Sequence, residues 1–257
     1  MRSNYEMSRR SFVQKMTIAA GAISLGVPNA IMANNQFKSN KSFMIAKSEI
    51  AFEREPLIHS YGFKGGYITR LWQIATQLQD ASGNKTIGLG VQSPLWSDSK
   101  VTSLWGESGS NSLMYCLTSR ASQLITGHSF DTPIQMIDDI LDEVHAYGVK
   151  ITGNKSLRKT FALNALVSVD NAAWLLYAKQ NNMTSFDALI PSAYKEAFSY
   201  KNTKIANIPS VSYSTSVSDI KKLGSDGYFF IKIKIGSPGT QHEMLEKDML
   251  RMKQIKD

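Results

Sequence analysis

Apolar and polar positions change their period twice along this chain, and the changes divide it into three parts. From Phe43 to about Val91 the period is two. Met44 to Phe52 forms one extended run, and Trp72, Ile74, Thr76 and Leu78 alternate with Leu71, Gln73, Ala75 and Gln77. After a turn at Asp80–Asn84, Ile87, Leu89 and Val91 alternate on a return strand. Alternation of this kind puts one face of each strand on a core, so the segment reads as a three-stranded meander with one hairpin. Between its first two strands, His59–Tyr67 holds three glycines and three aromatics and reads as a loop able to move and to touch a ligand.

From Ser110 to about Phe198 the period becomes helical. Thr132-Pro133-Ile134-Gln135 supplies a capping hydroxyl, a proline at the first helical position and a glutamine three residues after the cap. Ile134, Ile137, Leu141 and Val144 then recur at helical spacing, and Gly148 reads as the stop. A second helix, from about Leu157 to Gln180, is apolar nearly all round and is expected in the core. The third pattern starts near Lys204: a strand over Ile205–Tyr213, a helix over Val217–Leu223, a strand over Tyr228–Ile235, and a helix over Gln241–Lys256 with Met244, Leu245, Met252 and Ile255 on one side. Strand, helix, strand, helix is how an α/β barrel begins. The 53 residues from 205 to 257 fall far short of the roughly 250 that an eight-fold barrel takes. Such a beginning leaves open strand edges and an apolar face, so poor solubility is expected of it alone.

Composition narrows the function classes. Hydrophobic content of 42% and charged content of 19% suit a folded protein. No run past the N-terminus reads as long and apolar enough to span a membrane, which needs roughly 18 residues. The single Cys116 excludes an internal disulfide and a thiolate metal cluster. The formal charge is +8, but residues 1–33 hold four basic residues (Arg2, Arg9, Arg10, Lys15) and one acid (Glu6), which leaves +5 on the rest. Those remaining charges are scattered rather than gathered with aromatics, so no nucleic-acid partner is expected; the charge suits anionic small molecules.

The N-terminus reads as an address. Ser8-Arg9-Arg10-Ser11-Phe12 precedes a modestly apolar stretch from Met16 to Val27 and small residues near Ala33. This is the layout of a signal peptide, and the paired arginines resemble a twin-arginine signal, although Gln14 stands where that motif has lysine. Residues 1–33 are therefore expected to direct export, to the periplasm, and residues 34–42 to form a linker.

Two stretches carry a family resemblance. Val169-Asp170-Asn171-Ala172-Ala173-Trp174-Leu175-Leu176, with Ala178-Lys179, resembles the last capping helix of the muconate-lactonizing and dipeptide-epimerase branch of the enolase superfamily. Ile231-Lys232-Ile233-Lys234-Ile235-Gly236 is similar to the second barrel strand of that branch, with its Lys-x-Lys, and Glu246-Lys247-Asp248 through Arg251 fits the helix that follows. The resemblance implies an α+β capping domain over residues 43–203, followed by the first two βα units of a TIM-type barrel over residues 204–257. It also implies that Tyr61, Gly62, Phe63 and Lys64 belong to a substrate-covering loop, and that Mg²⁺ stabilises the enediolate formed by proton removal.

Residues two apart on a strand share a face, so Lys232 and Lys234 point together, about 7 Å apart, while Ile231, Ile233 and Ile235 point the other way. Two ammonium groups so placed disfavour each other's charge, and burial adds to this. A lysine left as the neutral amine in this way suits proton abstraction beside a carboxylate. By the resemblance, Lys234 is the base and Lys232 tunes it. The same five residues also describe an edge strand whose lysines block aggregation; the helix before and the helix after favour the catalytic reading. His59, His128, His145 and His242 show no ligand spacing, Asp138, Asp139, Asp142 and Glu143 read as a solvated helix face, and Asp170 reads as a structural hydrogen-bonder.

In the family, the acidic metal ligands stand on later barrel strands, beyond Asp257, so no metal ligand is expected in this chain, and the sequence reads as a fragment of a longer protein. Three functions remain open: an epimerase or racemase of a carboxylate such as a dipeptide (an L-Ala-D/L-Glu epimerase-like enzyme); an acid-sugar dehydratase or cycloisomerase of the same superfamily; and a non-catalytic or vestigial exported binding protein. A homo-oligomer is left open.

Overall fold

The computed structural model describes residues 42–257. The expected leader (1–33) and all of the expected linker except Ser42 lie outside the described residues. A short strand β1 (Phe43–Met44) pairs antiparallel with β5 (Ser129–Phe130). The meander is β2 (Lys47–Phe63), β3 (Gly66–Gln79) and β4 (Lys85–Gln92), antiparallel in that order. The Asp80–Asn84 turn is as expected: the Asp80 carboxylate accepts from the amides of Ser82 (2.9 Å) and Asn84 (2.8 Å) and from the Asn84 side chain (2.9 Å).

The expected loop at His59–Tyr67 is instead almost all strand. β2 and β3 run on to a two-residue turn at Lys64 and Gly65, whose φ values of 54° and 78° give the turn that matches strand twist. Burial alternation fades there because this end of the hairpin leaves the main core, and pairing of residues 61–63 with 66–68 together with a small separate core keeps it extended. A register irregularity between Pro56 and Tyr61 marks the change.

The helical part begins earlier than its periodicity suggested: α1 (Pro94–Ser97) and α2 (Ser99–Ile125) precede and include Ser110, with a break in α2 at Gly106. Helix α3 (Pro133–Thr152) starts at the expected cap, where Thr132 accepts from the Gln135 amide. It does not stop at Gly148. It ends at Gly153, which takes the left-handed conformation (φ 70°). Gly148 is needed for packing: a Cβ there would lie 2.9 Å from Leu157 and 3.0 Å from Leu117.

Helix α4 (Lys159–Gln180) is the centre of the fold. It buries Phe161, Leu166, Val169 and Leu176 against α2, α3 and the sheet. Gly88 and Gly90 of β4 let its backbone approach, and the hydroxyls of Thr76 and Ser168 meet at 2.8 Å in the interface. By length and composition alone (22 residues, mean hydropathy 1.2) α4 is long and apolar enough to cross a membrane, contrary to the expectation that no such run exists; 56% of that window is buried within the fold.

After α5 (Phe186–Leu189) and a 3-10 turn (Ser192–Tyr194), β6 (Ser210–Val211) pairs parallel with β7 (Lys232–Ile233) across α6 (Val217–Ser225), and α7 (Gln241–Lys256) follows. Both expected strands shrink to two paired residues. Phe229, Phe230 and Ile235 stay exposed, the last at 63%. The half-buried residues of α7 are Met244, Asp248, Arg251 and Ile255, whereas Leu245 and Met252, expected on that side, are exposed.

Candidate active site at the tip of the cap hairpin

The β2–β3 tip reaches away from the main core and rests on the loops that leave β6 and β7. A small second core forms there from Phe63, Leu95 and Tyr213, with Tyr61 and Ile68 against it. Gly62 is the point of closest approach: a Cβ at this position would lie 2.2 Å from the Tyr213 ring. Its amide donates to Ser212 Oγ (2.7 Å), and Ser212 Oγ donates to its carbonyl (2.9 Å). The Tyr61 hydroxyl meets Ser210 Oγ at 3.1 Å. On the other side of the turn, the Gly65 amide donates to the Gly236 carbonyl (2.7 Å). Gly236 has φ 95°, and a Cβ there would press on Lys64 Cα at 3.3 Å.

Tyr213 closes this contact. Its hydroxyl donates to the Gly66 carbonyl and its ring stands edge-on to Tyr67 at 5.3 Å. Burial, then the neighbouring Tyr67, push its phenol up to about 12. The phenol is therefore protonated and donating in the folded chain. A raised folded value means stability that is complete below the ordinary tyrosine value of 10 and lost as pH rises through about 12. Tyr213→Phe should therefore flatten the stability loss between pH 10 and 12 relative to the parent, read by urea unfolding at each pH, and lower stability near neutrality by about 1 kcal/mol for the lost hydrogen bond.

The Lys-x-Lys strand ends beneath this tip. The Lys232 and Lys234 amides donate to Pro209 O (2.8 Å) and Val211 O (2.9 Å), which fixes them on one strand face. Lys234 is half-buried, and its Nζ lies 5.7 Å from the centroid of the Phe63 ring. Lys232 is exposed. Of the loop residues singled out in the sequence, Phe63 therefore meets Lys234, while Tyr61 and Gly62 spend their polar groups on the barrel start. Lys64 turns elsewhere: its ammonium donates to the Trp96 carbonyl (2.6 Å), and burial, then the Arg158 charge, lower its pKa against the pull of Asp98.

Sequence reasoning missed Ser212, Tyr213, Asp248 and Arg251 as parts of this junction. The legible signal was the half-buried stripe Met244–Asp248–Arg251–Ile255, where two charges interrupt the inward face of a helix. The acids of α3 are a solvated face, as expected: Asp142 pairs with Lys159 and Glu143 with Arg120. Asp170 accepts from Trp174, and burial raises its pKa. His145 bonds the Leu157 carbonyl and His242 pairs with Glu246.

The described residues do not fit Mg²⁺. Among the described residues no group of three or more His, Cys, Asp or Glu side chains is placed to hold an ion. Asp248, which faces the end of the lysine strand, has its oxygens taken by Gly236 and Ser237.

No protein-family model and no curated protein matches the sequence. Solved structures do. The L-talarate/galactarate dehydratase of Salmonella typhimurium LT2, liganded with Mg and L-lyxarohydroxamate, superposes with a TM-score of 0.50 at 14% identity, over 90% of this chain and 53% of that one. The L-Ala-D/L-Glu epimerase of Bacillus subtilis gives 0.49 at 16% identity (82% of this chain, 49% of that one). The dipeptide epimerase of Enterococcus faecalis V583, complexed with Mg and L-Leu-L-Tyr, gives 0.48 at 17% identity (83% and 50%). The chain thus spans about half the length of the structures it matches. On the strength of the dehydratase superposition, the chain shares the fold of about half of that enzyme, a three-stranded antiparallel sheet with its helices followed by the start of an α/β barrel.

Proposed function

We propose that this chain supplies the cap and the lysine strand of an enzyme that removes the proton α to a carboxylate, with an epimerase or racemase of a dipeptide-like carboxylate as the first choice. The observation that carries the reading is the meeting of Lys234 with the cap: its Nζ stands 5.7 Å from the Phe63 ring, at the strand end over which the hairpin tip closes. Lys234 takes the proton from the α-carbon onto its amine, leaving the electron pair on the substrate. Lys232, one strand repeat before it, supplies a positive charge on the same side for the carboxylate. The tip excludes water from that side through its small apolar core. Any Mg²⁺ ligands belong, in this reading, to other parts of the natural polypeptide.

The test is incubation of the natural polypeptide that contains this sequence with a panel of dipeptides and acid sugars in deuterium oxide. Deuterium at the α-carbon with inversion supports the epimerase; deuterium with loss of water moves the reading to a dehydratase sharing the same first step. A panel without any exchange favours a non-catalytic binding protein.

Export belongs to the same proposal, on the strength of Arg9-Arg10 before a modestly apolar stretch. Arg9→Lys with Arg10→Lys should hold the chain inside the cell at full precursor length. Unchanged release of a shortened chain would remove the twin-arginine route.

A further inference from the structure

Two charged residues on α7 each hold one barrel-start loop, and each of those loops holds one side of the cap hairpin tip. The Asp248 carboxylate accepts from the amide of Gly236 (2.7 Å) and from both the amide (3.3 Å) and the hydroxyl (2.7 Å) of Ser237. The carbonyl of that same Gly236 accepts from Gly65, on the turn of the hairpin, at 2.7 Å. One turn further along α7, the Arg251 guanidinium donates to the carbonyls of Ser212 (3.0 Å) and Thr215 (2.6 Å). The Ser212 hydroxyl in turn clasps both backbone groups of Gly62. The two chains of contact are parallel, and they straddle Phe63, the ring over which Lys234 stands.

Both side chains are well suited to the task. Asp248 accepts three hydrogen bonds in a half-buried setting; burial would raise its pKa, but the Gly236 and Ser237 donors outweigh it and hold the carboxyl below its ordinary value. It is therefore charged at neutral pH, when its hydrogen bonds are strongest. Arg251 reaches both carbonyls from one nitrogen, Nη2, whose two hydrogens point to Ser212 O and Thr215 O, and its guanidinium stays charged. A glycine at 236 is what lets the tip come close, since any Cβ would press on Lys64.

We infer that Asp248 and Arg251 are positioning residues that set the cap hairpin against the end of the lysine strand, Asp248 through Gly236 and Gly65, Arg251 through Ser212 and Gly62. Neither touches the reacting atoms. Their value for catalysis rests on the reading of Lys234 as the base; the coupling itself does not.

Amide hydrogen exchange on the natural polypeptide that contains this sequence tests the coupling without any substrate. The reporters are the amides of Gly65 and Gly62, and the reference is Ala46, whose amide bonds Gln79 O at 2.8 Å at the opposite end of the same hairpin. Asp248→Ala should lower protection of Gly65 at least about tenfold relative to Ala46 while sparing Gly62; Arg251→Ala should do the reverse. Asp248→Asn, which keeps an acceptor oxygen and the side-chain volume, should recover most of the Gly65 protection. If the Asp248→Ala variant fails to fold, Arg251→Ala carries the test through Gly62. Loss of protection at Gly65, Gly62 and Ala46 by one common factor in the two alanine variants would show general destabilisation and overturn the inference, as would unchanged ratios in them. The two readings fail separately: selective exposure of Gly65 together with an α-proton exchange indifferent to Lys234 keeps the coupling and removes the base.

Discussion

Replacing Gly88 with alanine should cost about 3 kcal/mol or more of folding stability, the top of the range for overpacking a core. A Cβ at this position would lie 2.2 Å from both Ala172 N and Ser168 O. Both are backbone atoms of α4, so no side-chain rotation can clear them. The helix would have to lift from β4, which breaks the Thr76–Ser168 hydroxyl pair (2.8 Å) and the bond from Thr86 Oγ1 to Ala172 O (3.0 Å). Gly90, one strand repeat on, offers no relief, because its own Cβ would stand 2.8 Å from Ser168 N. The matched control is Gly127→Ala: its φ of 83° is unfavourable for alanine, but nothing lies within 4 Å, so its cost should stay near 1 kcal/mol. Urea unfolding of both variants measures the difference. A Gly88→Ala chain as stable as the parent would mean that α4 does not sit on the sheet as described.

How much of this was legible in the sequence depends on what held each element in place. Elements built on burial were readable. The alternation around Trp72–Leu78 marks a strand whose inner face meets α4, and Thr132-Pro133 marks a cap that forms as written. Elements held by backbone pairing away from the core were not. Residues 59–67 lack a clean alternation because this end of the hairpin leaves the main core, so their three glycines and three aromatics looked like a loop. Gly148 misled for a different reason: glycine ends a helix when the backbone turns left-handed, but here it makes room for Leu117 and Leu157, and a local pattern does not distinguish the two. At the junction, Lys-x-Lys and its family likeness pointed to the strand whose end lies beneath the hairpin tip. Its setting was beyond reach, because Gly62 and Ser212 are 150 residues apart and nothing local ties them. The helix stripe that carries Asp248 and Arg251 was within reach, had its two charges been weighed as well as its methionines.

Lys234→Ala should abolish α-proton exchange, with a loss of at least about a thousandfold, within the range that general-base removal produces. Alanine leaves the strand bonds of residue 234 intact, because the amide that donates to Val211 O is retained. It removes the half-buried side chain beyond Cβ, including the amine beside Phe63, and leaves the backbone pairing, so the fold should survive. In this reading Lys232→Ala takes away a charge that orients the carboxylate without accepting the proton, and should slow exchange up to about fivefold, the scale of one exposed charge–charge contact. The measurement that bears most directly on the account is therefore deuterium incorporation at the substrate α-carbon, followed by proton NMR in deuterium oxide for the natural polypeptide and its Lys234→Ala variant side by side. The account expects washout of the α-proton signal in the parent and none in the variant, with matching circular dichroism spectra. Equal washout in both would contradict it, because the proton would then leave to some other base.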